Sequence, residues 1–421
     1  MIENPILPGF NPDPSICRVG EDFFIATSTF EWFPGVQIHH SKDLVHWRLK
    51  GHALNEKRLL DLRGIPSSGG VWAPALSFYD NLFYLCYTVV HQHEAATKDT
   101  PNFLITAHSN EGPWSDPIFI NASGFDPSLF HDDDGKKYWL NMVWDHRPNK
   151  HPFYGIVLQE YDPNNKTLLG KPEVIFKGSP IRLTEGPHLY KRNGYYYLLS
   201  AEGGTEYEHA VTLARSRNLL GPYEIHPQNP ILTSSGKADL KLQKAGHASL
   251  VETEHGEWYM PHLCARPLPG TQKCNLGRET AIQKVEWRND DWLYLLNDGN
   301  NPIEHVVPPS LQPHTFKELP KRLLFDSPHY AIPRGPSSSV QVHPEKLILT
   351  GKQSLESNFE QAMLARRLIS HKLTATTKLS FEPESFQQMA GLTAYYNTYL
   401  FHYLYLSYDE EKGLCLQIHT C

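Results

Sequence analysis

Along the chain a short apolar run, a polar turn and an aromatic-rich strand follow one another in the same order five times. The clearest copy is Gly124-Phe125-Asp126-Pro127-Ser128-Leu129-Phe130, then the turn His131-Asp132-Asp133-Asp134-Gly135, then a strand from Lys137 to Met142. Asp13-Pro14-Ser15-Ile16 leads in the same way to Phe23-Phe24-Ile25-Ala26, and Ala73-Pro74-Ala75-Leu76 to Leu82-Phe83-Tyr84-Leu85. Gly186-Pro187-His188-Leu189 precedes Tyr195-Tyr196-Tyr197, and His247-Ala248-Ser249-Leu250 precedes Glu257-Trp258-Tyr259. Aligned at residues 14, 74, 127, 187 and 248, the intervals are 60, 53, 60 and 61.

Hairpins of short strands repeated at roughly 40 to 60 residues predict a propeller, because one such unit cannot bury both of its faces alone. The first strand of each blade lies innermost, so the residues heading the five units ring one mouth of the channel. They are Asp13, Trp72 with Ala73, Asp126, Glu185 and His247. Three carboxylates, an indole and an imidazole then share one pocket. A second element recurs at the matching offset, in His40 to Trp47, Ala107 to Trp114 and Arg215 to Tyr223. Either Asp-Pro taken singly is an ordinary turn; the common register is what gives the set chemical meaning.

The expected fold is all-β: a five-bladed β-propeller over residues 1–296, with residues 1–10 closing the ring against the last blade. Pro302, Pro308, Pro309, Pro313 and Pro320 mark residues 297–321 as a linker, since proline at that density disfavours helix and central strand alike. Residues 322–421 read as a partial C-terminal β-sandwich, with strands at 347–349, 373–377 and 400–406 and either a short helix or a strand at 361–368. The final Leu416-Gln417-Ile418-His419-Thr420-Cys421 reads as the interior of a strand. Apolar edges left open there predict self-association through this domain, a homo-oligomer.

The 33 Pro, 28 Gly and 12% aromatic residues fit many short strands and turns. A net charge of -7 argues against a nucleic-acid or anionic-membrane partner. No stretch approaches the roughly 18 apolar residues of a membrane helix, and the N-terminus has neither a basic nor an apolar leader segment. The six Cys lack metal-ligand spacing, and the pair Cys264 and Cys274 is expected to stay reduced in a cytoplasmic protein. The run Asp132 to Asp134 lacks the spacing of a calcium loop and reads as a hairpin turn. His39-His40 and His91 with His93 read as surface residues.

Asn11-Pro12-Asp13-Pro14-Ser15, Gly70-Val71-Trp72-Ala73-Pro74, Gly124-Phe125-Asp126-Pro127-Ser128, Thr184-Glu185-Gly186-Pro187 and Leu276-Gly277-Arg278-Glu279-Thr280 together resemble family 43 of the glycoside hydrolases. The resemblance covers essentially the whole chain and is strongest to the two-domain β-xylosidases, although the C-terminal domain here is shorter than theirs. It implies inversion, with Asp13 as general base, Glu185 as general acid, and Asp126 orienting the acid and raising its pKa. Phe30 and Trp72 would form the terminal-sugar subsite with Ala73 beside them, and Trp144 the next one. Arg278 would bind sugar hydroxyls, its alternative being a surface ion pair with Glu279; Thr205 is a further pocket candidate. His247 would either lie near a hydrated calcium ion in the channel or hydrogen-bond a pocket carboxylate without metal. No cofactor is expected for the chemistry itself.

The expected activity is release of xylose from the non-reducing ends of short β-1,4-xylooligosaccharides. The alternatives are an α-L-arabinofuranosidase or an enzyme with both activities. A non-catalytic sugar-binding propeller would have lost a catalytic carboxylate, and all three are present. A retaining fructosyl-hydrolase-like propeller would carry Arg-Asp-Pro where this chain has Phe125-Asp126-Pro127.

Overall fold

The computed structural model describes every residue except Asp298 and Lys321, both within the expected linker. Five antiparallel sheets follow in chain order, and no helix occurs among the described residues. Blade one comprises Ser15–Val19, Asp22–Thr27, Gly35–Ser41 and Arg48–Leu54; blade three comprises Gly124–His131, Lys137–Trp144, Phe153–Asp162 and Thr167–Phe176. The inner strands of blades two, four and five are Ala75–Tyr79, Glu185–Arg192 and Gln243–Ala248.

Apolar side chains fill the gaps between neighbouring blades. Phe24 and Ile38 meet Leu76 and Leu85 between blades one and two, and Phe130 and Leu140 meet Leu189 and Leu198 between three and four. The ring closes where Ile16, Phe23 and Ile25 of blade one meet Tyr259 and Ile282 of blade five, over Ile2 and Leu7. As expected, the N-terminal segment joins this closure. Ile2–Glu3 pairs with His305–Val306, and Leu7 exchanges hydrogen bonds with Thr280 at 3.1 and 3.2 Å.

Polar staples add register to this packing. The residue after each aligned proline or alanine is Ser15, Ala75, Ser128, His188 and Ser249. Ser15 Oγ accepts the N–H of Leu76 at 2.9 Å, carrying blade one to blade two. Ser128 Oγ donates to the carbonyl of Pro187 at 2.6 Å, carrying three to four. Ser249 Oγ accepts the N–H of Ile16 at 3.0 Å and donates to the carbonyl of Pro14 at 2.9 Å, which joins five back to one. Blade four has His188 in this place, and there Tyr190 Oη accepts the N–H of Leu250 instead, at 2.7 Å.

The C-terminal region is less regular. Ala390–Asn397, Leu400–Asp409 and Gly413–Thr420 form one sheet, and Leu347–Leu349 pairs with Val340–Val342. On one face of the larger sheet Leu392, Leu404 and Ile418 stand in register, and Ile418 is 71% exposed. The expected strand at 373–377 is absent: Leu373 is exposed, and no neighbouring strand among the described residues takes up that backbone. Within 361–368 only Ala365–Arg366 is strand, paired with Tyr330 and Ala331, and none of it is helix.

The staples differ in how many partners they serve. Ser249→Ala strands two buried backbone groups and is expected to cost about 1–3 kcal/mol, more than Ser15→Ala or Ser128→Ala. Urea denaturation of the three variants measures this, and equal costs would remove Ser249 from ring closure.

Candidate active site

The inner strands share an unusual backbone at or beside the aligned positions. Asp13, Asp126 and His247 have φ of 56°, 55° and 43°, a left-handed conformation that side chains rarely adopt. In blade four the aligned residue is Gly186, at φ 57°, so Glu185 stands one position before the shared register. The ladders slip here, between Phe125 and Ser128, between Glu185 and His188, and between Gly246 and Ala248. A bulge of this kind lets a strand re-aim a side chain without losing its pairing on either side.

Gly186 is the point where three blades meet. Its N–H donates to Asp126 Oδ2 at 3.1 Å. A Cβ there would lie 2.7 Å from His247 Cε1, so the imidazole packs on the bare backbone and only glycine fits. Ligand atoms of Asp126, Glu185 and His247 all lie within 4.8 Å of one another. Asp13 is nearly fully buried; its Oδ2 accepts a hydrogen bond from Ser28 Oγ at 2.5 Å. Its Oδ1 faces His247 Nδ1 at 3.8 Å and Arg278 Nη1 at 3.7 Å.

Arg278 therefore points inward. Glu279, its alternative partner, is held instead by Arg266 through two bonds of 2.7 and 2.8 Å and by the N–H of Gly9. The Arg278 guanidinium also lies 4.7 Å over the Phe30 ring. From there a chain of aromatic contacts forms one wall. Phe10 to Phe30 spans 5.4 Å, Phe30 to Trp72 6.3 Å, Trp72 to Phe125 5.1 Å, and Phe125 to Trp144 6.3 Å. The two indoles are anchored by their N–H groups, Trp72 on the carbonyl of Ser68 at 2.8 Å and Trp144 on that of Ala96 at 2.9 Å.

Sequence reasoning missed Phe10, Ser28 and Lys98. Lys98 Nζ sits 4.3 Å over the Trp144 ring and donates to the carbonyl of His93 at 2.6 Å. Burial lowers its pKa while the nearby Glu185 charge raises it. Its loop has no periodic pattern and is placed by the bridge between Gln92 and Asp99 and by contacts distant in sequence, such as that of Ala96 with Trp144, so no local signal marks it. Ala73 is buried at the blade-two position and brings no polar group. Thr205 lies half-buried in the turn after Gly203 and Gly204, and makes no hydrogen bond to the carboxylates among the described residues. His39 is buried rather than on the surface, and its Nε2 meets Asn11 Oδ1 at 3.1 Å behind the motif that carries Asp13. A separate cavity of about 690 Å³ beside blade four, with Arg182, Glu208 and Lys237 in its lining, includes none of the three carboxylates.

Burial pushes the Glu185 carboxyl up to about 7, with the charge of Asp13 as the second cause. The repulsion was expected from Asp126. That residue is itself pushed well above the carboxylate range, by burial first and then by Glu185 and Asp13. The neighbouring charge that raises Glu185 is thus that of Asp13 and not of Asp126. Burial lowers the His247 pKa, against the charge of Asp13, and so favours the neutral imidazole.

The donor set does not suit calcium bound directly to all three side chains. Calcium prefers six to eight oxygen ligands, and here one of three donors is an imidazole and the other two favour their protonated forms.

Carboxyl groups gathered at the mouth of a five-bladed propeller beside an aromatic wall are the arrangement of a propeller-type glycoside hydrolase. The chain belongs to glycosyl hydrolase family 43, whose sequence profile matches residues 2–293. Residues 326–421 match the profile described as beta xylosidase C-terminal Concanavalin A-like domain. The chain is 54% identical to a protein named Xylosidase/arabinosidase 43B of Humicola insolens, across 97% of this chain and 77% of that protein. It is 51% identical to a Beta-xylosidase of Bacillus subtilis (strain 168), across 100% and 82%. The crystal structure of a xylan beta-1,4-xylosidase from Bacillus halodurans C-125 superposes with a TM-score of 0.95 at 53% identity, across 99% of this chain and 81% of that one.

Folding raises the affinity of Glu185 for its proton above the unfolded value of 4.5. The site is therefore most compatible with the fold below that pH and loses stability as pH rises to about 7. Glu185→Gln removes this cost. Its melting temperature should exceed that of the unmodified protein at pH 8 and equal it at pH 4; a constant difference at both would contradict the titration.

Proposed function

We infer that the protein is an inverting, exo-acting glycoside hydrolase that releases D-xylose from the non-reducing ends of β-1,4-xylooligosaccharides. The observation that carries this reading is the convergence of Asp13, Asp126 and Glu185 on one pocket beside an aromatic wall. Asp13 lies beside the Arg278 guanidinium and the Ser28 hydroxyl, while Glu185 keeps its proton to about pH 7.

In the proposed reaction Asp13 takes a proton from a water that attacks the anomeric carbon. Glu185 gives its proton to the glycosidic oxygen as that C–O bond breaks. The new C–O bond to water replaces the one to the leaving sugar, the water's O–H proton goes to Asp13 and the Glu185 proton to the leaving oxygen. Asp13 then releases its proton to solvent and Glu185 takes one back. Inversion of this kind uses carboxyl groups about 6.5–9.5 Å apart, leaving room for the water. Asp126 orients blade four through the N–H of Gly186, and with its own proton it spares the pocket a further negative charge. The aromatic faces of Phe30 and Trp72 suit the C–H face of a pyranose, and Trp144 with Lys98 suits the leaving sugar.

A second reading, α-L-arabinofuranosidase activity in the same pocket, is supported by the double name of the Humicola relative. The two sugars present similar hydroxyl geometry. Turnover of nitrophenyl β-xyloside and α-arabinofuranoside, side by side, decides between one activity and both; the xyloside is expected to be the better substrate. A calcium ion enters this account only as a hydrated ion touching His247 through water. Exhaustive chelation is then expected to lower the melting temperature, and unchanged activity and melting would remove the ion.

Asp13→Ala and Glu185→Ala are each expected to lower kcat by roughly 10²–10⁴-fold on xylobiose. With a nitrophenol leaving group, which needs little protonation, Glu185→Ala should lose far less than Asp13→Ala. Equal losses on both substrates would overturn the acid assignment. The alkaline limb of the rate profile should fall near pH 7, as Glu185 loses its proton.

A further inference from the structure

The C-terminal region reaches the supports of the aromatic wall through one buried cation. Arg334 is 1% exposed and sits at φ 61°, beyond the end of the strand Tyr330–Pro333. That strand pairs with Trp32–Phe33 of the propeller, Pro333 opposite Trp32 and Ile332 opposite Phe33. The backbone N–H of Arg334 donates to the carbonyl of Glu31 at 2.7 Å. Its side chain then turns into the propeller, where Nε donates to the carbonyl of Ile65 at 2.7 Å and Nη1 to Gln361 Oε1 at 3.0 Å.

Both ends of this clamp lead to a pocket aromatic. Glu31 directly follows Phe30, whose N–H and carbonyl bond Val71 at 2.9 and 3.0 Å. Glu31 is 5% exposed; its Oε2 accepts the N–H of Ser68 at 3.2 Å, and the Arg334 charge offsets part of its burial cost. Ser68 is the residue whose carbonyl holds the Trp72 indole. The turn that carries it is gripped from the C-terminal side twice more: Gly64 N–H donates to the carbonyl of Asn358 at 2.6 Å, and Ser67 Oγ meets Thr398 Oγ1 at 3.0 Å.

We propose that Arg334 is a positioning residue for substrate binding: with Glu31 it fixes the spacing of Phe30 and Trp72, so the C-terminal region sets sugar affinity without touching sugar. This rests on the reading of those two aromatics as walls of the sugar pocket. Neither residue contacts Asp13 or Glu185 among the described residues, so binding is affected and the proton transfers are not. Removing Arg334 alone also takes away the charge that offsets part of the burial cost of Glu31, which predicts a specific coupling between the two.

The test uses the full chain with Arg334→Met, Arg334→Lys, Glu31→Gln and the double variant Arg334→Met/Glu31→Gln. Arg334→Met is expected to raise KM for nitrophenyl β-xyloside, and Ki for xylose as product inhibitor, about tenfold, a displacement effect of the size slight misplacement produces. Its kcat should stay within about twofold and its alkaline limb should not move, since chemistry is untouched. The double variant should lie closer to the unmodified enzyme than Arg334→Met does, and Arg334→Lys should recover part of the loss. If Arg334→Met does not fold, the KM and Ki of Arg334→Lys and Glu31→Gln carry the same comparison. Lowered melting temperature with unchanged KM and Ki would make Arg334 only a structural staple and overturn the proposal. An unmodified enzyme inactive on xylosides would instead overturn the functional reading.

Discussion

Crowding of acidic groups in a buried pocket is the constraint on which the rest depends. Glu185 and Asp126 are both driven toward their protonated forms, by burial before anything else. Ionising every carboxyl of the pocket together would place like charges a few ångströms apart in a medium that screens them poorly. The protein meets this with Arg278 set against Asp13, with Lys98 near Glu185, and with a raised proton affinity at Glu185 and Asp126. That asymmetry separates a base from an acid among chemically similar side chains.

Holding such a set requires backbone that ordinary strands do not supply. Left-handed residues and bulges at the heads of the inner strands turn Asp13, Asp126 and His247 toward the channel, and Gly186 admits the imidazole where a side chain would collide. Strain at one strand head is tolerated because the serine staples and interblade clusters fix the strands around it. The pocket is thus stabilised by the whole ring, and no single blade contains it.

Much of this could be read from the chain because propeller blades repeat. The common register exposed Asp13, Asp126 and His247 and pointed within one residue to Glu185, although nothing local distinguishes Asp13 from any other turn aspartate. The same logic fails where the chain departs from the repeat. Phe10 belongs to the closing segment, Lys98 to an irregular loop, and Arg334 to the C-terminal region, so each reaches its place through contacts distant in sequence. The register also concealed that Gly186, one position past Glu185, is the aligned residue of blade four. His39 was misjudged because a polar residue on a strand looks exposed until its partner, here Asn11, is known. Threonine-rich 373–377 has strand-like composition, yet composition cannot supply the neighbouring strand that a sheet requires.

The central claim is a division of labour between a base that activates water and an acid that protonates the leaving oxygen on opposite sides of one sugar. Proton NMR of the first-formed sugar, recorded within seconds of adding enzyme to a β-xyloside and before mutarotation, tests it most directly. The account predicts α-xylose as the initial product. Initial β-xylose would mean a covalent intermediate and a nucleophile in this pocket, and would contradict the roles assigned to Asp13 and Glu185.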